Sequence, residues 1–506
     1  DLTAAIALGQ SFLGSVAVWL GGDDAQRARM AELLLSGQLA ALALTEEAHG
    51  SDVLASEVTA RATAHGYALT GTKWLINNAT RSAALTVFAR TSSEGGLHGS
   101  TLFLVDKGAL APGAFTTLPK FRTHGIRGAD ISGVRFDDAQ LSLAARLGEE
   151  GSGAERVLTA LQLTRAGCST FSLGAADTAL RLALDFARER SLYGATVFDI
   201  AHARSMLVDA FAELLLAECV SIAALRGAQG AASQLSLWSQ IAKLLVPTVC
   251  ERVIHDTAVV LGARHYVREG FAGGAFQKLL RDAAVVSLFD GSTAVNLDGI
   301  GAQLVRLSAE RAAPAEERQR TLARVFDLAA PLPAIFSERL ELMTAGRDDV
   351  TQGLSSSLER LAGLRVRTEE DGAAPIDPEL LEEVLALGQD LTQQLAVLGE
   401  QVSVLARDRS MLKRSPELFE LARRYSRLFA GAACVHLFAH SRARLDPWGA
   451  RGSWLAFVLA RVLQDFSAPS LPRRSPHFDD LTRRLTELHD EERAFALVAI
   501  PLGRSE

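Results

Sequence analysis

The chain has 506 residues, 48% hydrophobic and 22% charged, with a formal net charge of −7. That length accommodates about three or four domains of ordinary size, and the composition fills a buried core easily. An acidic balance without a Lys/Arg-rich run excludes a nucleic-acid binder working by phosphate attraction.

Cys168, Cys219, Cys250 and Cys434 stand too far apart for a CxxC or zinc-ligand spacing. Reduced thiols in a cytoplasm are expected rather than a disulfide framework. No apolar run is read as reaching the ~20 residues that span a bilayer, and the first residues show no charged segment with a cleavage site. Asp1 already reads as lying inside a helix, so the native chain is expected to begin further upstream.

Residues 1–38 read as helical, with apolar residues at helical spacing from Ile6 to Leu35. Over 39–148 the runs Glu57–Leu69, Ala84–Arg90, Thr101–Asp106 and Gly133–Asp137 are short, β-branched or alternating, which predicts an antiparallel β-domain. His65-Gly66 between two alternating runs predicts a hairpin. Over 149–310 the period returns to 3.6. Leu158–Arg190, Ile200–Leu225, Leu235–Leu261 and Val285–Leu307 read as the helices of an up-down four-helix bundle. The acidic, Pro-containing stretch Ala312–Glu317 marks the next boundary, and 311–506 reads as a further helical domain.

Within that last region Val384, Leu391, Leu398 and Leu405 recur every seven residues, as do Leu381, Gly388, Leu395 and Val402, giving a coiled-coil-like seam. Ser415-Pro416 predicts an N-cap and first helical turn. Arg347–Pro378, rich in Gly, Ser and charge, reads as a partly mobile connection. Val350, Leu354, Leu358 and Leu361 inside it keep helical spacing until Arg365, and a solvent-covered helix is preferred there to a membrane-surface one. The fold class is therefore α+β, mainly α: N-terminal helices, a central antiparallel β-domain, a four-helix bundle and an additional C-terminal helical domain.

Four segments carry chemistry. In Ala43-Leu-Thr-Glu-Glu-Ala-His-Gly-Ser-Asp52, Thr45 can donate a hydrogen bond and Gly50 permits close backbone approach; taken alone it is also an ordinary polar turn. Gly71-Thr-Lys-Trp-Leu-Ile-Asn-Asn78 reads by itself as a buried strand with an aromatic filler. Arg190-Ser-Leu-Tyr-Gly194 offers a planar, bidentate cation suited to a pyrophosphate, or a solvated helix-face arginine. Phe289-Asp-Gly-Ser-Thr293 sets a carboxylate before the last bundle helix, where it serves either as a base or as an N-cap.

Together these strings resemble the acyl-CoA dehydrogenase family over about residues 1–307. Residues 45–52 match T-E-x-x-x-G-S-D, and 190–194 match R-x-x-[FY]-G. The 71–78 string is similar to G-x-K-x-W-I-T-N, with Leu75 at the tryptophan position and Trp74 one residue early. Strand alternation then puts Trp74 on the face opposite Leu75. Asp290 stands where the family carries its glutamate base.

The resemblance implies FAD, held by Leu44, Thr45, Gly50, Ser51, Leu75, Ile76, Asn77, Tyr193 and Ser292, with Arg190 reaching a neighbouring subunit's cofactor. Backbone groups of Ile76 and Asn77, rather than Trp74, are the expected contacts. Ser51 and Arg165 are implied on the substrate side, near a pantetheine arm. Asp290 is implied to remove the α-proton of an acyl thioester while the flavin takes the β-hydride, its backbone N–H polarising the carbonyl. Aspartate is one methylene shorter than glutamate, and ~1 Å of misplacement can cost ~10²-fold in rate; a relative that oxidises nitroalkanes nevertheless uses aspartate as base. Thr164 occupies the alternative base position and is not a base, and Ala201 and Val259 replace family glutamines.

The C-terminal domain resembles the extension of very-long-chain acyl-CoA dehydrogenases and so implies a homodimer. An electron-transfer flavoprotein is the implied acceptor. No metal is expected, since His49, His202, His255 and His265 lack ligand spacing. Two alternatives stay open: a flavin oxidase or monooxygenase-like enzyme of the same fold, and a catalytically weak scaffold paralogue.

Overall fold

In the computed structural model, which describes residues 1–307, 313–365, 375–407, 415–466 and 475–503, aspartates open the first two helices. Asp1 accepts from the Ala4 N–H ahead of α1 (Leu2–Gly21). Asp23 and Gln26 form a reciprocal capping box on α2 (Asp24–Leu35), satisfying backbone donors that would otherwise be orphaned. α1 carries no charged side chain, and by length and composition it is apolar enough to cross a membrane. This corrects the sequence reading that no apolar run reaches that length. Ile6, Val16, Ala17 and Val18 on this helix are buried.

Packing divides into two units: Asp1–Arg165 with Asp290–Ser292 and Phe336–Leu342, and the rest of the chain. The first is built on β1 (Ala40–Ala43), β2 (Thr59–Thr63), β3 (Gly66–Asn77), β4 (Ala84–Arg90), β5 (Ser100–Asp106), β6 (Phe115–Leu118), β7 (Ile131–Ser142) and β8 (Arg146–Leu147). The strands run in the order β6-β7-β3-β2-β4-β5-β8, with β1 beside β4. The expected hairpin forms, Thr63 pairing with Gly66. The sheet is mixed rather than antiparallel throughout, because β1 lies parallel to β4. The hairpin β2–β3 separates these two strands in sequence and supplies the long connection that a parallel pair needs.

The central strands are buried on both faces. Leu85, Val87, Phe103 and Val105 join the cluster of Tyr67, Leu69, Val134 and Phe136. The alternate residues Ala84, Phe88, Leu102 and Leu104 join Val16, Met30, Val157 and Leu161 from the helices. Successive side chains of a strand point to opposite faces, so β4 and β5 read as nearly continuous apolar runs.

The second unit takes α3 (Gly153–Glu189) from Ala166 onward, then α4 (Ala201–Gly230), α5 (Leu235–Leu261), α6 (Ala275–Ala283) and α7 (Thr293–Leu307). α7 starts eight residues later than the periodicity suggests. Asp290 and Gly291 take φ of 56° and 95°, left-handed values that a helix cannot contain. α6 was not anticipated. Between α3 and α4, β9 (Ser191–Leu192) and β10 (Ala195–Thr196) form a small hairpin. Its central pair Tyr193-Gly194 has φ of 56° and 84°, the sign that a two-residue I′ turn demands.

The remaining helices are α8 (Ala315–Phe326), α9 (Asp349–Gln352), α10 (Leu354–Ala362), α11 (Pro378–Arg407), α12 (Pro416–Ser441), α13 (Pro447–Arg451), α14 (Ser453–Gln464) and α15 (Phe478–Asp490). Ser415 caps α12 by accepting from the Leu418 N–H. The heptad seam of α11 is buried at Leu381, Val384, Gly388, Leu391, Leu398 and Val402. A Cβ on Gly388 would lie 2.3 Å from Leu358, so the seam closes tightly on α10. The expected mobile connection is largely helical over 349–365; 366–374, and Ala312 of the earlier boundary, lie outside the described residues. Val350, Leu354, Leu358 and Leu361 are buried core positions, which replaces both the solvent-covered and the membrane-surface reading. Burial of that apolar row, not its polar flanks, decides the structure here.

Candidate active site

The T-E loop leaves β1 and is fastened to β3 at once. The Trp74 N–H donates to the Thr45 carbonyl at 2.9 Å. One residue on, Glu46 turns inward, where Lys73 Nζ reaches its carboxylate at 2.6 Å and the Leu44 carbonyl at 3.0 Å. The Ser56 hydroxyl and the Glu57 and Val58 N–H groups also donate to Glu46. Burial alone would raise the Glu46 carboxyl; the Lys73 ammonium and these donors outweigh it and hold it below its ordinary value. Burial takes Lys73 down to about 8, against the opposing pull of Glu46. Thr45 is half-buried, and Gly50 and Ser51 are exposed; a Cβ on Gly50 would meet open space.

β3 carries a bulge next to this anchor. Lys73 pairs with Val134 and Ile76 with Ser132, leaving Trp74 and Leu75 opposite the single residue Gly133. Leu75 takes φ of 52°. The extra residue returns Ile76 to the core beside Lys73 while Trp74 and Leu75 both stay outside it. The alternation argument that set Trp74 and Leu75 on opposite faces therefore fails at this point, since a bulge locally interrupts the period of two. The Trp74 ring packs edge-on to Phe121 at 5.7 Å.

Just beyond, Asn77 Oδ1 and Asn78 Nδ2 are buried without a hydrogen-bond partner among the described residues. Buried polar atoms are seldom left so. An acceptor and a donor on consecutive residues, two and three positions beyond the exposed Leu75, fit the polar edge of a flavin.

In the same unit, Arg165 is buried and its Nε donates to the Asp290 backbone carbonyl at 3.1 Å. Asp290 is half-buried, and it lies two residues before Ser292, which directly precedes α7. In the second unit, Lys243 on α5 donates to the Val286 carbonyl at 2.7 Å. Its ammonium also lies 5.6 Å from the Phe289 ring centroid. Arg190 is exposed, and Tyr193, at the hairpin tip, is 99% exposed. Thr164 is buried and bonded back to the Leu161 carbonyl of its own helix. Among the described residues no group of His, Cys, Asp or Glu is arranged to hold a metal.

Glu46, Lys73 and Lys243 were missed at the sequence level. For Lys73 and Lys243 the available signal was a charge beside an apolar run, since lysine is almost never fully buried unless paired; Glu46, in a polar loop, gave no such signal.

A β-domain with a T-E loop fastened to a bulged strand, followed by a helical bundle with a carboxylate before its last helix, defines an oxidoreductase acting on CH–CH groups. Family models for the acyl-CoA dehydrogenase middle and C-terminal domains match residues 41–139 and 151–305. The chain belongs to the acyl-CoA dehydrogenase family.

Among its relatives, the human mitochondrial short-chain specific acyl-CoA dehydrogenase is 28% identical over 58% of this chain and 69% of that one. A probable acyl-CoA dehydrogenase of Mycobacterium tuberculosis is 25% identical over 58% and 74%. The butyryl-CoA dehydrogenase of Megasphaera elsdenii has a similar structure, with a TM-score of 0.57 and 26% identity over 60% of this chain and 79% of that one. An FAD-complexed acyl-CoA dehydrogenase from Bacillus anthracis covers 97% of this chain and is itself covered to 82%, with a TM-score of 0.69 and 17% identity. The likeness of fold thus extends through the C-terminal helices.

Proposed function

We propose that the chain is an FAD-dependent α,β-dehydrogenase of an acyl thioester, carried on CoA or on a carrier protein. The observation that carries this reading is the Asp290 turn: a carboxylate at φ 56°, its carbonyl fastened by Arg165 at 3.1 Å, at the position of the family's base. The left-handed turn sets Asp290 ahead of the helix that follows rather than within it, and a carboxylate is a group that can take a proton. Bound FAD would accept the β-hydride. The chain's part is to hold the thioester, take the α-proton at the Asp290 carboxylate and polarise the carbonyl with the Asp290 N–H. Leu44, Thr45, Gly50, Ser51, Leu75, Ile76, Asn77, Tyr193 and Ser292 would hold the cofactor, joined by Arg190 from a second subunit. Ser51 and Arg165 would face the substrate.

A homodimer, an electron-transfer flavoprotein as acceptor and a cytoplasmic setting complete the proposal, as does a domain division near residues 38, 148 and 310. Four buried cysteine thiols are in keeping with the setting.

The test is anaerobic titration of the flavin protein with a panel of acyl thioesters. Bleaching by one of them, lost in Asp290→Asn with flavin retained, supports the reading; an active Asp290→Asn variant removes the base assignment. The shorter aspartate favours one second reading, a flavin oxidase of the same fold. Fast reoxidation of the bleached enzyme by air would select it.

A further inference from the structure

We propose that the buried Glu46–Lys73 ion pair is the positioning device of the flavin face, clamping the Thr45 loop to the Trp74–Leu75 bulge. The inference rests on the flavin reading above and assigns a task to two residues outside the proposed cofactor-binding set.

The geometry is specific. Three consecutive residues of the loop are tied to two consecutive residues of β3: the Leu44 carbonyl and the Glu46 carboxylate to Lys73 Nζ, and the Thr45 carbonyl to the Trp74 N–H. Thr45, proposed to face the flavin, is thus held on both sides while its own side chain stays half-buried. On the strand, Lys73 is the last residue in register before the bulge and Ile76 the first after it. The two proposed flavin-facing segments therefore share one fixed point.

A pair serving only to fill the core has cheaper substitutes. Two ions lose their hydration on burial, and apolar residues of the same volume are often as stable in their place. Here Lys73 is fully buried with the Phe88 ring centroid 5.6 Å from its ammonium, and Glu46 spends its acceptors on Ser56, Glu57 and Val58. What an apolar pair cannot supply is a donor to the Leu44 carbonyl and the link through Glu46 to the start of β2. A buried polar network fixes one arrangement of the segments that it joins.

The test uses the double variant Glu46→Gln/Lys73→Met, which removes both charges together, with FAD affinity read by titration of the apoprotein and the visible spectrum of the bound flavin read alongside. The expected result is a folded protein whose FAD Kd rises tenfold or more and whose spectrum moves toward that of free flavin. A folded double variant with the wild-type Kd within twofold and an unshifted spectrum overturns the proposal. Ser56→Ala, which removes one donor to Glu46 and strands no charge, is read if the double variant does not fold. A threefold weaker Kd supports the clamp, and an unchanged one overturns it. Wild-type protein that takes up no FAD sinks the flavin reading itself, an outcome distinct from wild-type binding with indifferent variants.

Discussion

Glu213 on α4 and Arg427 on α12 meet through two parallel hydrogen bonds of 2.7 Å, Arg427 using both terminal nitrogens. Arg427 Nε continues to Asp465 at 2.9 Å, and Arg461 reaches Glu213 at 3.2 Å and Asp209 at 2.8 Å. Burial alone would raise the Glu213 carboxyl; the two guanidiniums instead bring it down to about 2. Glu213→Gln removes the paired carboxylate from the buried Arg427 guanidinium and leaves it Asp465 alone, so a loss of about 3–5 kcal/mol is expected in urea unfolding. A loss below about 1 kcal/mol, the worth of a surface pair, would show that water reaches this network.

How much of this was legible in the sequence depended on whether local signals and burial agreed. α5 matches its periodic run from Leu235 to Leu261, because Gly262 at φ 58° stops it cleanly. β4 likewise matches Ala84–Arg90, a short run closed at both ends by polar residues. The helical spacing of Val350, Leu354, Leu358 and Leu361 was legible, but the Gly, Ser and charge around that row hid its burial, which only tertiary packing reveals. The start of α7 was misread because Val285–Phe289 is apolar and two left-handed residues leave no trace in periodicity. The bulge at Trp74–Leu75 is likewise invisible in the residue pattern. Only the opposing strand, with Gly133 facing two residues, shows it.

Acid should weaken the C-terminal helices through one histidine. His436 is fully buried, its Nε2 2.7 Å from the Val350 carbonyl and its Nδ1 2.7 Å from the Ser357 hydroxyl. A carbonyl only accepts, so Nε2 carries the proton, and Nδ1 accepts from Ser357 in the neutral ring. Burial lowers His436 from 6.5 to about 3, with the nearby His440 adding to the effect and the Val350 carbonyl opposing it. The folded pKa lies below the unfolded one. This contribution is therefore complete above about pH 6.5 and is lost as pH falls toward 3. Its full span is about 4–5 kcal/mol at 1.36 kcal/mol per unit. His436→Gln, whose amide can still donate to Val350, should flatten that part of the stability–pH curve. A variant with the wild-type slope between pH 6 and 4 would contradict the assignment.

Helix α1 should tolerate no side chain at Gly14. A Cβ there would stand 2.4 Å from the Ala41 backbone N, and the Gly14 carbonyl accepts from Thr86 at 2.7 Å. Backbone cannot yield as a flexible side chain does, so Gly14→Ala must lift the helix from β1 and β4. Overpacking of this kind costs about 1–3 kcal/mol or more, measurable as a lower urea midpoint. An unchanged midpoint would mean that α1 is not seated on the sheet in solution.

Arg165 and Gly291 together decide whether the Asp290 turn is held for catalysis. Arg165 grips the Asp290 carbonyl, and a Cβ on Gly291, at φ 95°, would lie 3.2 Å from the same Nε. Gly291→Ala thus strains the turn and crowds the guanidinium without altering any side chain proposed to touch substrate. If the turn aims the base, kcat should fall about 10²-fold for ~1 Å of displacement, with KM and FAD content little changed. Arg165→Met should then show the same kcat loss. If Arg165 instead acts only by binding the thioester, its variant raises KM at constant kcat, and Gly291→Ala, which crowds the same guanidinium, raises KM as well. Steady-state kinetics of the two variants side by side separates these cases, since only a positioning role makes both variants fail in kcat.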